Sequence, residues 1–126
     1  MISSTVFSIF QNGTFDGTQE VCLFTDRIEW ANSELWLDDV IGSRVVADAK
    51  LRIYSYPKDK HGNRFRQTID FVSNYTSKFD KVKQEMANWS AAICYLAYLE
   101  PNVNLAKEII RGKNDWSAPL RKWLIL

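Results

Sequence analysis

The side chains of this sequence best suited to binding chemistry are five basic residues in one short segment. They are Lys58, Lys60, His61, Arg64 and Arg66, within the stretch "RIYSYPKDKHGNRFRQTIDF". Cations displayed together attract anions, and near an anionic membrane each contributes about 1 kcal/mol. His61 would add charge at lower pH. The segment therefore predicts a site for anionic membrane lipids, and the alternative is a hairpin tip that is charged only for solubility.

Residue types that carry catalysis are poorly placed. His61 is the only histidine, and its spacing from any nucleophile does not suggest a Ser-His-Asp or Cys-His site. Asp38 and Asp39 are adjacent, so on a strand they would point to opposite faces. Neither GxxxxGK nor GxGxxG occurs, so no phosphate-binding loop is indicated. We predict no catalytic residue, no metal site and no cofactor within this chain.

Cysteine usage and hydropathy bear on location. Cys22 and Cys94 are the only cysteines, too few for a disulfide scaffold or a zinc site, and their apolar neighbours predict buried thiols. No apolar run reaches the roughly 18 residues that span a bilayer, and the N-terminus lacks the features of a signal peptide. We predict a cytoplasmic location, with peripheral contact at membranes.

Charge is divided between the two halves of the chain, although the formal net charge is only +1. Residues 1–49 carry eight acidic and two basic side chains, whereas residues 50–126 carry seven acidic and fourteen basic ones. Such asymmetry can steer one face toward anions, or the halves can neutralise each other inside one fold. A nucleic-acid binder is one alternative, but RNA-binding strand signatures are absent, and we predict no nucleic-acid partner.

Alternating apolar residues predict that a sheet positions the basic segment. Runs rich in β-forming residues are separated by turn signals, including Asn12-Gly13 and Asp16-Gly17. Gly42 predicts a bend or bulge within its strand. In "KLRIYSYP" apolar side chains alternate, and Pro57 ends the strand because it has no N–H for the ladder. The pattern predicts about seven antiparallel strands.

The apolar period then changes from two to that of a helix. Residues three and four apart form one stripe, which comprises Phe79, Val82, Met86, Trp89, Ile93 and Leu96. Thr76 or Ser77 is the expected N-cap, Pro101 marks the end, and "VNLAKEIIRG" predicts a shorter second helix. The predicted fold class is α+β, mainly β: a bent antiparallel sheet or partly open barrel, capped by one long C-terminal helix, with a short helical tail.

Four motifs occur in a recognisable order: "CLFTDRIEW", "LWLDDVIGSRV", "LRIYSYPKDKHGNRFRQTIDF" and "VKQEMANWSAAICYL". Together they resemble the N-terminal region of sphingosine (long-chain-base) kinases, most closely the animal type 2 forms, and ceramide kinase carries a related region. The resemblance covers residues 20–99. It implies a pleckstrin-homology-like domain over residues 1–100. Residues 101–126 would then be a linker and the start of a catalytic domain, since "APLRKWLIL" is similar to the strand before that family's nucleotide loop.

The resemblance also implies a function. The chain would be a non-catalytic regulatory domain that docks on membranes or proteins. Its parent enzyme would be a lipid kinase that uses ATP and Mg²⁺ to convert sphingosine to sphingosine 1-phosphate. Implied partners are anionic lipids, the catalytic domain and regulatory proteins. The alternative is a free-standing interaction or inhibitor protein with no attached kinase.

One departure from the pleckstrin-homology pattern concerns the first hairpin. Domains of that kind that bind phosphoinositides usually place Lys and Arg there, but "QNGTFDGTQ" contains no cation. Membrane contact is therefore expected at residues 58–66, through charge alone. Aromatic residues expected to be exposed would pack on an adjoining domain or let the isolated chain self-associate. They are Trp36, Tyr54, Tyr56, Trp116 and Trp123.

Overall fold

The computed structural model describes residues 1–31, 33–73, 79–98 and 102–112. These residues form seven strands and two α-helices, with short 3₁₀ helices before the fifth and sixth strands. The strands are β1 (Ser3–Gln11), β2 (Thr14–Leu23), β3 (Arg27–Trp30), β4 (Ser33–Trp36), β5 (Val40–Val46), β6 (Lys50–Ser55) and β7 (Gln67–Ser73). The helices are α1 (Phe79–Tyr98) and α2 (Val103–Ile110), and the 3₁₀ helices are Leu37–Asp39 and Ala47–Ala49.

All seven strands belong to one antiparallel sheet, in the order β4-β3-β2-β1-β7-β6-β5. β1 lies at the centre and pairs with β2 on one side and with β7 on the other. β4 and β5 form the two ends and do not pair with each other, so the sheet is open and not a closed barrel. All neighbouring strands in the sheet except β1 and β7 are also consecutive in the chain. Short turns can join antiparallel strands of this kind.

The strand faces follow the predicted alternation. Along β6, Leu51, Ile53 and Ser55 are buried, whereas Arg52 and Tyr54 are half-buried on the other face. The predicted bulge at Gly42 is confirmed, because the pairing of β5 with β6 shifts register between Val40 and Gly42.

The first turn is tighter than the sequence suggested. Asn12 and Gly13 have φ of 51° and 83°, the two left-handed residues that a two-residue hairpin turn requires. β2 therefore begins at Thr14, and Asp16-Gly17 lies inside the strand instead of forming a second turn.

Helix α1 covers the apolar face of the sheet, as the helical stripe predicted. Trp89 is 1% exposed, and its ring lies edge-on to Phe7 with centroids 5.3 Å apart. Phe7 in turn stacks on Phe71 of β7, also at 5.3 Å. The other stripe residues with described side chains are buried, and they are Val82, Met86, Ile93 and Leu96. The open sheet and the helix thus share one core.

Helix α2 packs against α1 and buries Ala106 and Ile109. The side chain of Asn102 caps its first turn by accepting the amide of Leu105 at 3.0 Å. Gly112, with φ of 69°, follows the helix in the left-handed conformation. Because α2 contributes to the core, the residues just after 101 lie against the sheet-and-helix unit. The domain boundary at residues 100 and 101 stays a prediction.

Several further expectations concern single residues. Cys94 is buried as predicted, but Cys22 is only half-buried, because it faces away from the core between the buried Val21 and Leu23. The expected N-caps Thr76 and Ser77 and the "APLRKWLIL" segment lie outside the described residues. Neither described helix is long and apolar enough to cross a membrane.

Candidate functional site

The basic segment forms an ordered hairpin between β6 and β7, here called the basic hairpin (residues 56–66). Lys58 and Arg64 pair across it as an isolated antiparallel bridge. At the tip, the Asp59 carboxylate accepts hydrogen bonds from the backbone amides of His61 at 2.8 Å and Asn63 at 2.9 Å. Gly62 has φ of 80°, which a side chain would disfavour. Asp59 therefore organises the turn that presents the neighbouring cations.

All five predicted site residues are exposed, and four of them form no ion pair with described residues. Lys58, Lys60, His61 and Arg66 are exposed, and within the described residues none of them forms an ion pair with a carboxylate. The nearest acid in the chain, Asp59, uses one carboxylate oxygen to accept two backbone amides. Lys58, Lys60 and Arg66 are therefore the cations that an approaching anion would meet, with His61 exposed among them.

Arg64 is held by the protein itself. Its Nη1 donates to the backbone oxygen of Tyr56 at 2.7 Å and lies 3.3 Å from the Asp39 carboxylate. The amide of Tyr56 donates to the backbone oxygen of Asp39 at 2.8 Å. Arg64 therefore connects the basic hairpin to the 3₁₀ helix before β5, with its side chain still 42% exposed. Sequence reasoning missed this role because the paired residues are far apart in the chain.

Exposed apolar side chains lie at the same end of the molecule. We call them the apolar rim, which comprises Ile41 (55% exposed), Tyr56 (40%), Phe65 (42%) and Tyr98 (46%). Hydrogen bonds connect the segments that carry them: the Phe65 amide donates to the oxygen of Pro57, and the Tyr98 hydroxyl donates to the oxygen of Val40. Cations and apolar groups thus occur together, whereas the sequence predicted contact through charge alone.

The aromatic residues expected at the surface behave differently from one another. Trp36, at the edge strand β4, is 44% exposed and lies near the Arg27 guanidinium, at 5.8 Å. Tyr54 is half-buried, and its hydroxyl accepts a hydrogen bond from Arg44 at 3.0 Å. Trp116 and Trp123 lie outside the described residues.

Tyr98 gives this end of the molecule a pH dependence. Burial, and then the nearby Cys94, raise the pKa of its phenol above the ordinary value of 10.0. As the pH rises, the unfolded chain therefore loses the phenol proton before the folded chain does. The stabilising contribution is complete below about pH 10 and is lost as the pH rises through the folded pKa.

We expect the stability of the wild-type chain to fall more than that of Tyr98→Phe between about pH 9.5 and 11. The urea midpoint of each chain, measured across that range, checks this. The difference should be modest because Tyr98 is 46% exposed. Parallel losses in the two chains would contradict it.

A buried polar cluster fixes helix α1 on β5. The Ser43 hydroxyl lies 2.8 Å from the Ser90 hydroxyl and 3.0 Å from the Cys94 sulfur. Ser43 also donates to the backbone oxygen of Ser90 at 3.2 Å. Ser90 and Cys94 are four residues apart and therefore share one helix face. That spacing is the sequence feature from which their contact with one residue of β5 could have been predicted. Satisfied polar groups in a core favour one packing arrangement over others.

A groove lies between β5 and α1, with a volume of about 570 Å³. Its lining comes from one strand and one face of one helix, and comprises Arg44, Val45, Asp80, Lys83, Gln84 and Ala87. A second groove of about 510 Å³ runs between the start of β1 and the two helices. In the described part of the chain, no group of three or more His, Cys, Asp or Glu side chains could hold a metal ion.

No protein-family model, curated protein or solved structure matches the chain. The fold and the site together define a class: an open seven-stranded antiparallel sheet, covered by a long helix, with a basic hairpin at one end.

Proposed function

We propose that this chain is a pleckstrin-homology-like regulatory domain of a sphingosine kinase and that its basic hairpin docks on anionic membranes. The observation that carries the docking proposal is the presence of three exposed cations, Lys58, Lys60 and Arg66, beside the apolar rim. The strand order supports the fold assignment, since a seven-stranded meander followed by a helix is the pleckstrin-homology arrangement. The order of the four sequence motifs supports the kinase assignment. ATP and Mg²⁺ would bind to a catalytic domain outside this chain.

Docking would combine two physical contributions. Each cation near an anionic surface contributes about 1 kcal/mol, so Lys58, Lys60 and Arg66 together give weak, reversible attraction. Tyr side chains are favoured at the depth of the headgroups, where an amphipathic ring meets both water and hydrocarbon, and Phe rings bury at the boundary with the acyl chains. Tyr56 and Phe65 flank the cations and would enter that layer. The Asp59 turn and the Arg64 tie would hold the hairpin in shape, which lowers the ordering cost of binding.

Liposome flotation tests this proposal. The wild-type chain should float with vesicles that contain phosphatidylserine and remain unbound with vesicles of phosphatidylcholine alone. Lys58→Glu combined with Lys60→Glu should reduce binding to the anionic vesicles more than tenfold, because two attractive charges become repulsive. Phe65→Ser should weaken binding at high salt, where the electrostatic attraction is screened and the apolar contact remains.

The matched control is Lys81→Glu combined with Arg111→Glu. This pair makes the same change in net charge at two exposed positions, one on α1 and one just after α2, and should leave flotation unchanged. If both double variants reduce binding equally, the net charge and not the hairpin governs it. Equal binding of the wild type to neutral and anionic vesicles would contradict the proposal.

The kinase assignment has its own test, independent of membrane binding. The coding sequence downstream of residue 126 should encode a catalytic domain that opens with an Asn-Pro dipeptide and a Ser-Gly or Gly-Gly loop. A downstream region without such a domain would favour the free-standing interaction or inhibitor protein.

A further inference from the structure

One face of the sheet is covered by neither of the described helices. α1 packs on the inner face, and α2 packs on α1; we call the face away from α1 the outer face. Side chains alternate between the two faces along a strand, and residues paired across strands share a face. Cys22, which faces away from the core, pairs with Glu29, and Arg52 pairs with Asp70. These pairs identify the outer face from β4 at one end of the sheet to β5 at the other.

Charge on the outer face is divided between its two ends. From Thr18 onward on β2, and on β3 and β4, three acids and one base give a net charge of −2, and they are Glu20, Arg27, Glu29 and Glu34. On β5, β6 and β7, three bases and one acid give a net charge of +2, and they are Arg44, Lys50, Arg52 and Asp70. One end of the outer face is therefore acidic, and the other end is basic by the same amount.

Apolar side chains lie between the two charged ends. Val6 of β1 is 43% exposed and Phe15 of β2 is 58% exposed, and Phe15 contacts Phe10 with ring centroids 5.3 Å apart. Phe10 lies opposite Asp70, so this aromatic pair belongs to the outer face. A face with an apolar centre and opposite charges at its ends is complementary to a second copy of itself, rotated by 180° about an axis parallel to the strands.

We propose that two copies of this chain associate through their outer faces, with the acidic end of each copy against the basic end of the other. Two sheets can pack in this way about 10 Å apart. Seven strands about 4.8 Å apart, with about five residues each at about 3.3 Å per residue, give a face of roughly 500 Å² per copy. The total of about 1,000 Å² is at the lower limit of specific interfaces, so the dimer should be weak and reversible.

The symmetry of this dimer also places the two basic hairpins. Rotation about an axis parallel to the strands leaves the strand direction unchanged, so both hairpins lie at the same end of the dimer. They would then contact one membrane together, which increases the apparent affinity without any new contact. This consequence rests on the membrane docking proposed above, whereas the dimer itself does not.

Sedimentation equilibrium of the wild-type chain without lipid tests the dimer. The average mass should rise with concentration from 14.6 kDa toward twice that value, and high salt should reverse the rise. Arg44→Glu combined with Lys50→Glu makes both ends of the outer face acidic, whereas Glu20→Lys combined with Glu34→Lys makes both ends basic. Each double variant alone should dimerise roughly tenfold or more weakly than the wild type, because like charges then face each other.

An equimolar mixture of the two double variants tests the specificity of the contact. The mixture restores opposite charges at both ends, so it should form heterodimers as tightly as the wild type dimerises. The control is Lys58→Glu with Lys60→Glu, which makes the same change in net charge as the acidic variant but away from the outer face, and it should dimerise like the wild type. Circular dichroism confirms that each variant is folded.

Four results would overturn the proposal. They are a wild type that stays monomeric at all concentrations, undiminished dimerisation of either double variant, a mixture that stays monomeric, and equal weakening in the control. Because the measurement contains no lipid, none of these results bears on whether the basic hairpin docks on membranes.

Discussion

Replacement of Trp89 by Ala should destabilise the chain by about 3–5 kcal/mol. Trp89 is 1% exposed and contacts Phe7 edge-on, and Phe7 joins it to Phe71 in the centre of the sheet. Removal of the indole loses the transfer free energy of a large apolar group and leaves a cavity that close-packed neighbours cannot fill. Domains of this size have total stabilities of about 5–15 kcal/mol, so the variant should be close to unfolding.

Urea unfolding followed by circular dichroism measures this loss. The control is Gln84→Ala, an exposed position on the same helix, which should change stability by less than about 0.5 kcal/mol. A Trp89→Ala cost below about 1 kcal/mol would contradict the packing of α1 on the sheet. The assignment of the helix as the cover of the core would then be wrong.

The strands and helices could be predicted because their signals are local. Alternation in "KLRIYS" and the three-and-four spacing from Val82 to Leu96 depend only on neighbouring residues, and both match the burial seen. The bulge at Gly42 was also predicted, because a glycine inside a strand pattern indicates one. The prediction of a second turn at Asp16-Gly17 was wrong. Asp-Gly is typical of turns, but the Asn12-Gly13 turn had already reversed the chain, so Asp16-Gly17 lies within β2.

The arrangement of the strands could not be read from the sequence in the same way. β1 pairs with β7, which brings Phe7 opposite Ser73, and no local pattern encodes a contact over that separation. The candidate site has the same limit. The cations of the basic hairpin were visible in the sequence, but the Arg64–Asp39 contact and the position of Tyr98 beside Val40 depend on tertiary structure. Charge alone was predicted because the apolar rim is assembled from three separate segments, β5, the basic hairpin and the end of α1.

An ion pair on the outer face of the sheet was also missed. Arg44 and Arg52 lie directly opposite each other on β5 and β6, an arrangement that like charges disfavour. Asp70 of β7 compensates for this repulsion, because its carboxylate accepts hydrogen bonds from Nε of Arg52 at 2.8 Å and from Nη2 at 3.0 Å. The hydrogen bond to Asp70 raises the pKa of the Arg52 guanidinium above its ordinary value. The hydrogen bond from Arg44 to Tyr54 and the ion pair of Arg52 with Asp70 thus determine how the two arginines are placed across β5, β6 and β7.

Replacement of Arg52 by Met should cost about 2–4 kcal/mol, and more than the replacement of Asp70 by Asn. The Asp70 side chain is only 9% exposed, whereas that of Arg52 is 34% exposed. Without Arg52 a nearly buried carboxylate has lost its cation, while without the Asp70 charge the guanidinium still reaches water. The free energies of unfolding in urea for the wild type and both variants measure this asymmetry.

The double variant Arg52→Met, Asp70→Asn completes a thermodynamic cycle. We expect it to be more stable than the sum of the single losses predicts, with a coupling of about 1.5–3 kcal/mol, because it contains no unpaired buried charge. The control pair is Arg27→Met with Glu29→Gln, which breaks a contact whose carboxylate is 40% exposed and should show a coupling below about 1 kcal/mol. Simple additivity at Arg52 and Asp70 would mean that the pair contributes no more than an exposed salt bridge, and its role in ordering β5, β6 and β7 would have to be abandoned.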